Sequence, residues 1–148
     1  MNPAVPPRVL CVDDEPNLLA GLANTLRRRY DVATARSGPE ALELIARSKP
    51  FDVIVCDYRM PAMDGAEFLR RAREVSPGAV PVLLTGHATL EGAIAAVNEG
   101  RVFRILLKPC PPEILTGAID EAVAQGRAPA GERKRFEEEI EGLSGELQ

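Results

Sequence analysis

The chain has 148 residues, 45% of them hydrophobic but only 4% aromatic, and its 18 basic against 22 acidic residues give a net charge of −4. That length suits one compact domain with short ends, and the apolar share is enough for a core, which excludes a wholly disordered chain. The acidic balance and the lack of Trp argue against a nucleic-acid partner, which would call for a basic face or stacking platforms.

Residues 1–7 carry three prolines and no apolar leader-like run, so they read as a disordered lead-in. From residue 8, short apolar runs alternate with helical patterns. Val9–Val12 is the first expected strand, followed by a helix with Leu19, Leu22 and Leu26 on one face. Asp31–Ala35 is a more polar strand, as an edge strand would be. Ser37-Gly38-Pro39-Glu40 opens a helix over 38–48, with proline in its first turn. Val53–Cys56 is a wholly apolar strand, and a helix over 65–75 follows. Val80–Leu84 and Val102–Leu107 are the last two strands. Leu90, Ala93, Ile94 and Val97 mark the helix between them, and Leu115, Ala118, Ile119 and Ala122 mark the final helix, ending near Gln125.

Near-continuous apolar strands alternating with helices predict one parallel sheet covered on both faces. The expected fold is α/β, a flavodoxin-like (βα)₅ doubly wound sandwich over residues 8–125 with strand order 2-1-3-4-5. Residues 126–131 read as a linker. Residues 132–148 read as a short helical or coiled-coil tail, with Phe136, Ile140, Leu143 and Leu147 in a stripe. The basic residues 133–135 ahead of the acidic residues 137–139 oppose the helix dipole, so this tail either pairs with a partner or is the stub of a longer helix. Cys11, Cys56 and Cys110 are odd in number and form no CxxC, which favours free thiols in a reducing compartment. No run reaches membrane-spanning length, so a soluble cytoplasmic protein is expected.

In an open α/β sheet, ligands bind beyond the carboxyl ends of the strands, where strand order reverses. There the sequence places Asp13, Asp14 and Glu15 after the first strand, Asp57 after the third, Thr85 and Gly86 after the fourth, and Lys108-Pro109 after the fifth. Carboxylates gathered this closely repel, and a divalent cation relieves the repulsion. Oxygen ligands with room for water and phosphate favour Mg²⁺. Asp57 can present one carboxylate oxygen as a nucleophile, Lys108 can pair with phosphoryl charge, and Thr85 can hydrogen-bond a phosphoryl oxygen.

The set Asp13-Asp14-Glu15, D-Y-R-M-P-A-M-D-G over 57–65, T-G-H-A over 85–88 and Lys108-Pro109 resembles the receiver domain of two-component response regulators over residues 8–125. The resemblance implies that Asp57 accepts a phosphoryl group. It implies direct Mg²⁺ ligation by Asp14 and mainly water-mediated ligation by Asp13, with the backbone carbonyl of Arg59 as a further ligand. Thr85 would be the switch hydroxyl, and Lys108 would contact the phosphoryl group across a cis Lys108–Pro109 bond. Arg59 and His87 would border the phosphoryl group and tune its hydrolysis, unless both are solvated loop residues. Where such domains usually carry Tyr or Phe, three residues before the lysine, this chain has Ile105. Phe103, expected on the same strand face, is the candidate to share the readout with Ile105.

The function implied is that of a Mg²⁺-dependent response regulator that takes a phosphoryl group from a sensor histidine kinase or phosphotransfer protein. It is not a conventional enzyme, although such domains assist their own phosphotransfer and aspartyl-phosphate hydrolysis. The output would be a downstream protein effector or a fused output domain, with a homodimer as a further option, through the face made by residues 89–99 and 102–123. The alternative is a phosphorylation-independent pseudo-receiver, favoured only by Ile105. A D-x-D phosphatase motif is absent after Asp57, and no glycine-rich phosphate loop follows the first strand, which argues against a hydrolase and a dinucleotide binder.

Overall fold

The five β-rich runs become five strands in a computed structural model of the chain, which describes residues 5–86, 90–94 and 102–127. In chain order the elements are β1 (Arg8–Val12), α1 (Pro16–Leu26), β2 (Asp31–Ala35), α2 (Gly38–Arg47), β3 (Val53–Asp57), α3 (Gly65–Val75) and β4 (Val80–Thr85). A helical stretch over 90–94, called α4, then β5 (Arg104–Leu107) and α5 (Pro112–Arg127) complete the fold. All strand pairs are parallel, in the order β2-β1-β3-β4-β5. The chain runs outward from β1 to β2 and then returns across β1 to β3, so the order reverses at the β1–β3 pair.

Side-chain alternation sorts the core into two layers. Leu10, Val12, Ile54, Cys56 and Leu83 face α2, α3 and α4 together with Phe68, Leu69 and Ala93. Val9, Cys11, Val53, Val55, Val82 and Leu84 face α1 and α5 together with Leu19, Leu26, Leu115 and Ile119. All five residues of β3 are buried, because this strand is covered from both sides. Phe68, Leu10, Leu26 and Ile119 are fully buried, each contributing roughly 1.5–3 kcal/mol of transfer free energy.

The helix starts follow their local sequence. Ser37 Oγ accepts the Glu40 N–H at 3.2 Å, and the Glu40 carboxylate accepts the Arg36 N–H at 3.0 Å. Asp64 caps α3 by accepting the Glu67 N–H at 2.9 Å. Pro16 opens α1, where its missing N–H costs nothing.

Two boundaries differ from expectation. Strand β5 begins at Arg104, not Val102, and Phe103 sits at a bend ahead of it. The bend breaks the two-residue period, so Phe103 and Ile105 do not share a face. Phe103 packs in the α1/α5 layer, whereas Val102 and Ile105 pack in the other. Arg104 holds the phenyl ring there, its guanidinium 4.4 Å from the ring centre and 3.1 Å from Glu121 on α5. Helix α5 runs two residues past Gln125, taking Gly126 and Arg127 from the expected linker. Its last turn docks on the sheet: a Cβ at Gly126 would lie 3.1 Å from Val80, and Arg127 reaches Asp52 at 3.8 Å. The rest of the expected linker, the tail over 132–148, and Val97 lie outside the described residues. No helix among the described residues is long and apolar enough to cross a membrane.

Candidate functional site

Strand β1 ends at Val12, and the next residue, Asp13, is 1% exposed. Its backbone N–H donates to Ala35 O at 3.2 Å, and its Oδ1 accepts the Glu15 N–H at 2.9 Å, so the carboxylate is fixed from both ends. Asp14 beside it is exposed. Asp57 is the last residue of β3 and is buried. Carboxylate oxygens of Asp13, Asp14 and Asp57 lie within 4.8 Å of one another, at the β1–β3 pair where strand order reverses.

Lys108 reaches this cluster from the end of β5. Its Nζ is 3.1 Å from Asp13 Oδ2 and 3.1 Å from Asp57 Oδ1. The sequence reading assigned Lys108 to the phosphoryl group and did not foresee its pairing with Asp13, since the two are 95 residues apart. The Lys108–Pro109 bond is cis, as the resemblance implies. Thr85 is 1% exposed at the end of β4, and its carbonyl accepts the Lys108 N–H at 2.9 Å, which sets the threonine and the lysine side by side. Thr85 and Ile105 lie on adjacent strands, where Thr85 pairs with Leu107 and Ile105 with Leu83.

Burial pushes the Asp57 carboxyl above its ordinary range. The Lys108 hydrogen bond and charge pull it back, Asp13 and Asp14 push it further up, and the net shift is upward. Burial lowers Lys108, but its two carboxylate partners outweigh that and hold the ammonium charged. Three carboxylates therefore face one ammonium, an excess of negative charge in a cluster of hard oxygen donors. That donor set fits a small divalent cation such as Mg²⁺, with Asp13, Asp14 and Asp57 as the residues that could hold it.

The loop after β3 is tied down around Asp57. The Tyr58 N–H donates to Leu84 O at 3.0 Å, and the Gly65 N–H donates to Tyr58 O at 2.7 Å. A Cβ on Gly65 would lie 2.6 Å from Asp57 O and 2.9 Å from Tyr58 Cα, so the start of α3 sits directly on this dipeptide. This close approach is not legible in the sequence. Ala62 holds φ at 68° within the same loop. Arg59 is exposed and, with Tyr58, Met60, Pro61 and Asp64, lines a cavity of about 440 Å³ beside the site. His87 lies outside the described residues.

The three cysteines are free. Burial pushes the Cys11 thiol up to about 12, and it raises Cys56 and Cys110 as well, so none is poised as a thiolate. Cys56 is fully buried behind Asp57, with its Sγ 3.1 Å from Asp57 O.

Comparison with known proteins follows the same line. The family described as the response regulator receiver domain matches residues 9–120. The hydrogenase transcriptional regulatory protein HoxA of Cupriavidus necator is 41% identical over 119 residues, which are 80% of this chain but 24% of that protein. The chain thus spans only a minor part of this curated relative's length. Among solved structures, one described as adenylate cyclase from Rhodopirellula baltica superposes with a TM-score of 0.78 at 45% identity, covering 82% of this chain and 90% of that one. A response regulator receiver domain protein from Clostridium thermocellum gives 0.76 at 32% identity, covering 82% and 97%.

Proposed function

The chain belongs to the response regulator receiver domain family, and from that premise we propose that it is a Mg²⁺-dependent switch in which Asp57 accepts a phosphoryl group from a sensor histidine kinase or phosphotransfer protein. The observation that carries this reading is the ammonium of Lys108 set 3.1 Å from both Asp13 and Asp57, within a three-carboxylate cluster at the ends of β1 and β3. Phosphoryl transfer needs a fixed acceptor and charge neutralisation, and this arrangement supports both.

One oxygen of Asp57 forms the new bond to phosphorus while the donor's P–N bond breaks. The leaving imidazole nitrogen keeps the electron pair and is protonated. Asp13, Asp14, Asp57 and the backbone carbonyl of Arg59 are the groups that would hold Mg²⁺, which when bound would supply charge neutralisation for the phosphoryl oxygens. Lys108 then exchanges its contact with Asp57 for one with a phosphoryl oxygen, while Asp13 keeps its hold on the ammonium. The Thr85 hydroxyl donates to a second phosphoryl oxygen. Later hydrolysis breaks the P–O bond to Asp57, with water as the attacking group and the exposed Arg59 as a residue that would tune its approach. The chain is no conventional enzyme, yet it assists both steps.

The output follows as a shift in the two-state equilibrium of the face built by α4, β5 and α5, toward a protein effector or a fused output domain. A relative described as a transcriptional regulator, of which this chain matches 24%, supports a fused output domain. A cytoplasmic setting is proposed with this function.

Intact mass after incubation with Mg²⁺ and acetyl phosphate tests the reading. A phosphoryl adduct that needs Mg²⁺ and is lost in Asp57→Asn is expected. No adduct in either protein would sink the switch and favour an interaction module that works without phosphorylation, the reading to which Ile105 lends itself.

A further inference from the structure

We propose that Tyr58, the residue after Asp57, is the aromatic side chain that relays the state of Asp57 to α4, in the place left open by Ile105. The inference rests on the phosphoryl-acceptor reading above. Its basis is a contact with Gly92. A Cβ built on Gly92 would lie 3.1 Å from the Tyr58 hydroxyl and 3.5 Å from its Cε2, so the ring of Tyr58 occupies the notch that this glycine leaves in α4. The next residue of α4, Ala93, is fully buried in the core layer against which both Tyr58 and Ile105 pack. The seating of α4 is therefore set in part by where the Tyr58 ring lies.

The backbone at Asp57–Tyr58 cannot carry the signal. The Tyr58 N–H is bonded to Leu84 O and its carbonyl to the Gly65 N–H, and α3 leaves no space for a Cβ against it. The ring is the part with somewhere to go. The ring meets α4 at Gly92, and Tyr58 also lines the cavity of about 440 Å³ that it shares with Arg59, Met60, Pro61 and Asp64. A phosphoryl group adds volume and roughly two negative charges at the neighbouring side chain. That is enough to bias a ring between two discrete positions, and through Gly92 to bias α4. Phe103 cannot serve, because it packs in the opposite layer.

The test is hydrogen exchange of residues 90–94 with and without phosphorylation by acetyl phosphate and Mg²⁺, with the extent of phosphorylation read by intact mass in each sample. Wild type, Tyr58→Phe, Tyr58→Leu and Gly92→Ala are compared, with urea unfolding as the check that each is folded. Wild type and Tyr58→Phe are expected to change exchange at 90–94 on phosphorylation. Tyr58→Leu is expected to take up the phosphoryl group and lose that change. Gly92→Ala, whose Cβ would crowd the Tyr58 hydroxyl at 3.1 Å and shift it, is expected to show altered exchange before phosphorylation. Should phosphorylated Tyr58→Leu keep the wild-type change, or Gly92→Ala match the unphosphorylated wild type, the relay through Tyr58 is refuted while the acceptor chemistry stands. If wild type takes up no phosphoryl group, the acceptor reading fails and the relay falls with it. The mass measurement separates these two failures.

Discussion

Replacing Asp57 with Asn should stabilise the protein at neutral pH when no divalent ion is present, although it removes the proposed acceptor. Its carboxylate lies within 4.8 Å of those of Asp13 and Asp14 and 3.1 Å from Lys108. At an effective dielectric of about 20, unit charges at those separations repel by roughly 3.5 kcal/mol and attract by roughly 5 kcal/mol. Asp14 is exposed and its share is screened, so attraction and repulsion come close to balance. What remains is the desolvation of a buried carboxylate, which is also the largest cause of its raised pKa. The amide of Asn has no such charge to desolvate and can still accept a hydrogen bond from Lys108, which keeps its ion pair with Asp13. A gain of about 1 kcal/mol is expected, or about 4 °C in Tm for a domain of this size.

The sign can be followed with pH. A folded pKa raised above 3.8 means that the native state holds the proton more tightly than the unfolded chain does. The stability this contributes is fully present below the unfolded value and is lost as pH rises through the folded one. Wild type and Asp57→Asn should therefore coincide at about pH 3 and separate above it. Mg²⁺ at about ten times its Kd would return roughly 1.4 kcal/mol to wild type and close the gap. Urea unfolding across pH, in EDTA and then in Mg²⁺, is the assay. A wild type more stable than Asp57→Asn at neutral pH in EDTA would show that the Lys108 attraction outweighs burial, and the reasoning would fail.

Removing the ammonium with Lys108→Ala should lower phosphoryl uptake by at least about tenfold, yet tighten Mg²⁺ binding, since a competing cation leaves Asp13 and Asp57; calorimetric titration with Mg²⁺ distinguishes the two effects. Gly65→Ala forces a Cβ to 2.6 Å from Asp57 O, a clash with backbone, and should cost about 2 kcal/mol or more in urea unfolding. Ser37→Ala removes the acceptor at the start of α2 and should cost about 1 kcal/mol without touching phosphoryl uptake. Tyr30→Phe loses the 2.6 Å hydrogen bond to Asp120, which ties the segment between α1 and β2 to α5, and should lower stability by roughly 0.5–1.5 kcal/mol.

Strand order and the two core layers were legible because fully apolar runs such as 53–56 have one economical placement in a parallel sheet. The acid cluster was legible because a strand end carries its last residue to a known edge. What the sequence concealed depends on small departures from regular period. One bend at Phe103 moves that ring to the other layer, and no local pattern around V-F-R-I announces it. The link between Lys108 and Asp13 and the fit of Tyr58 against Gly92 are contacts between distant segments, set by how far side chains reach and not by spacing along the chain. Gly126 and Arg127 read as the start of a linker, but Gly126 belongs to α5 and packs closely on Val80, a contact with a distant strand that no local pattern announces.

The reach of Lys108 to Asp13 also ties the site to completion of the fold. The ends of β1 and β3, which bring the acids together, are neighbours in the sheet, but the neutralising ammonium comes from beyond the last strand, 95 residues after Asp13. Until β5 docks, the acidic edge has no cation of its own from Lys108. A partly assembled sheet would carry the repulsion without its remedy, so the neutralised acid cluster and the finished sheet come into existence together.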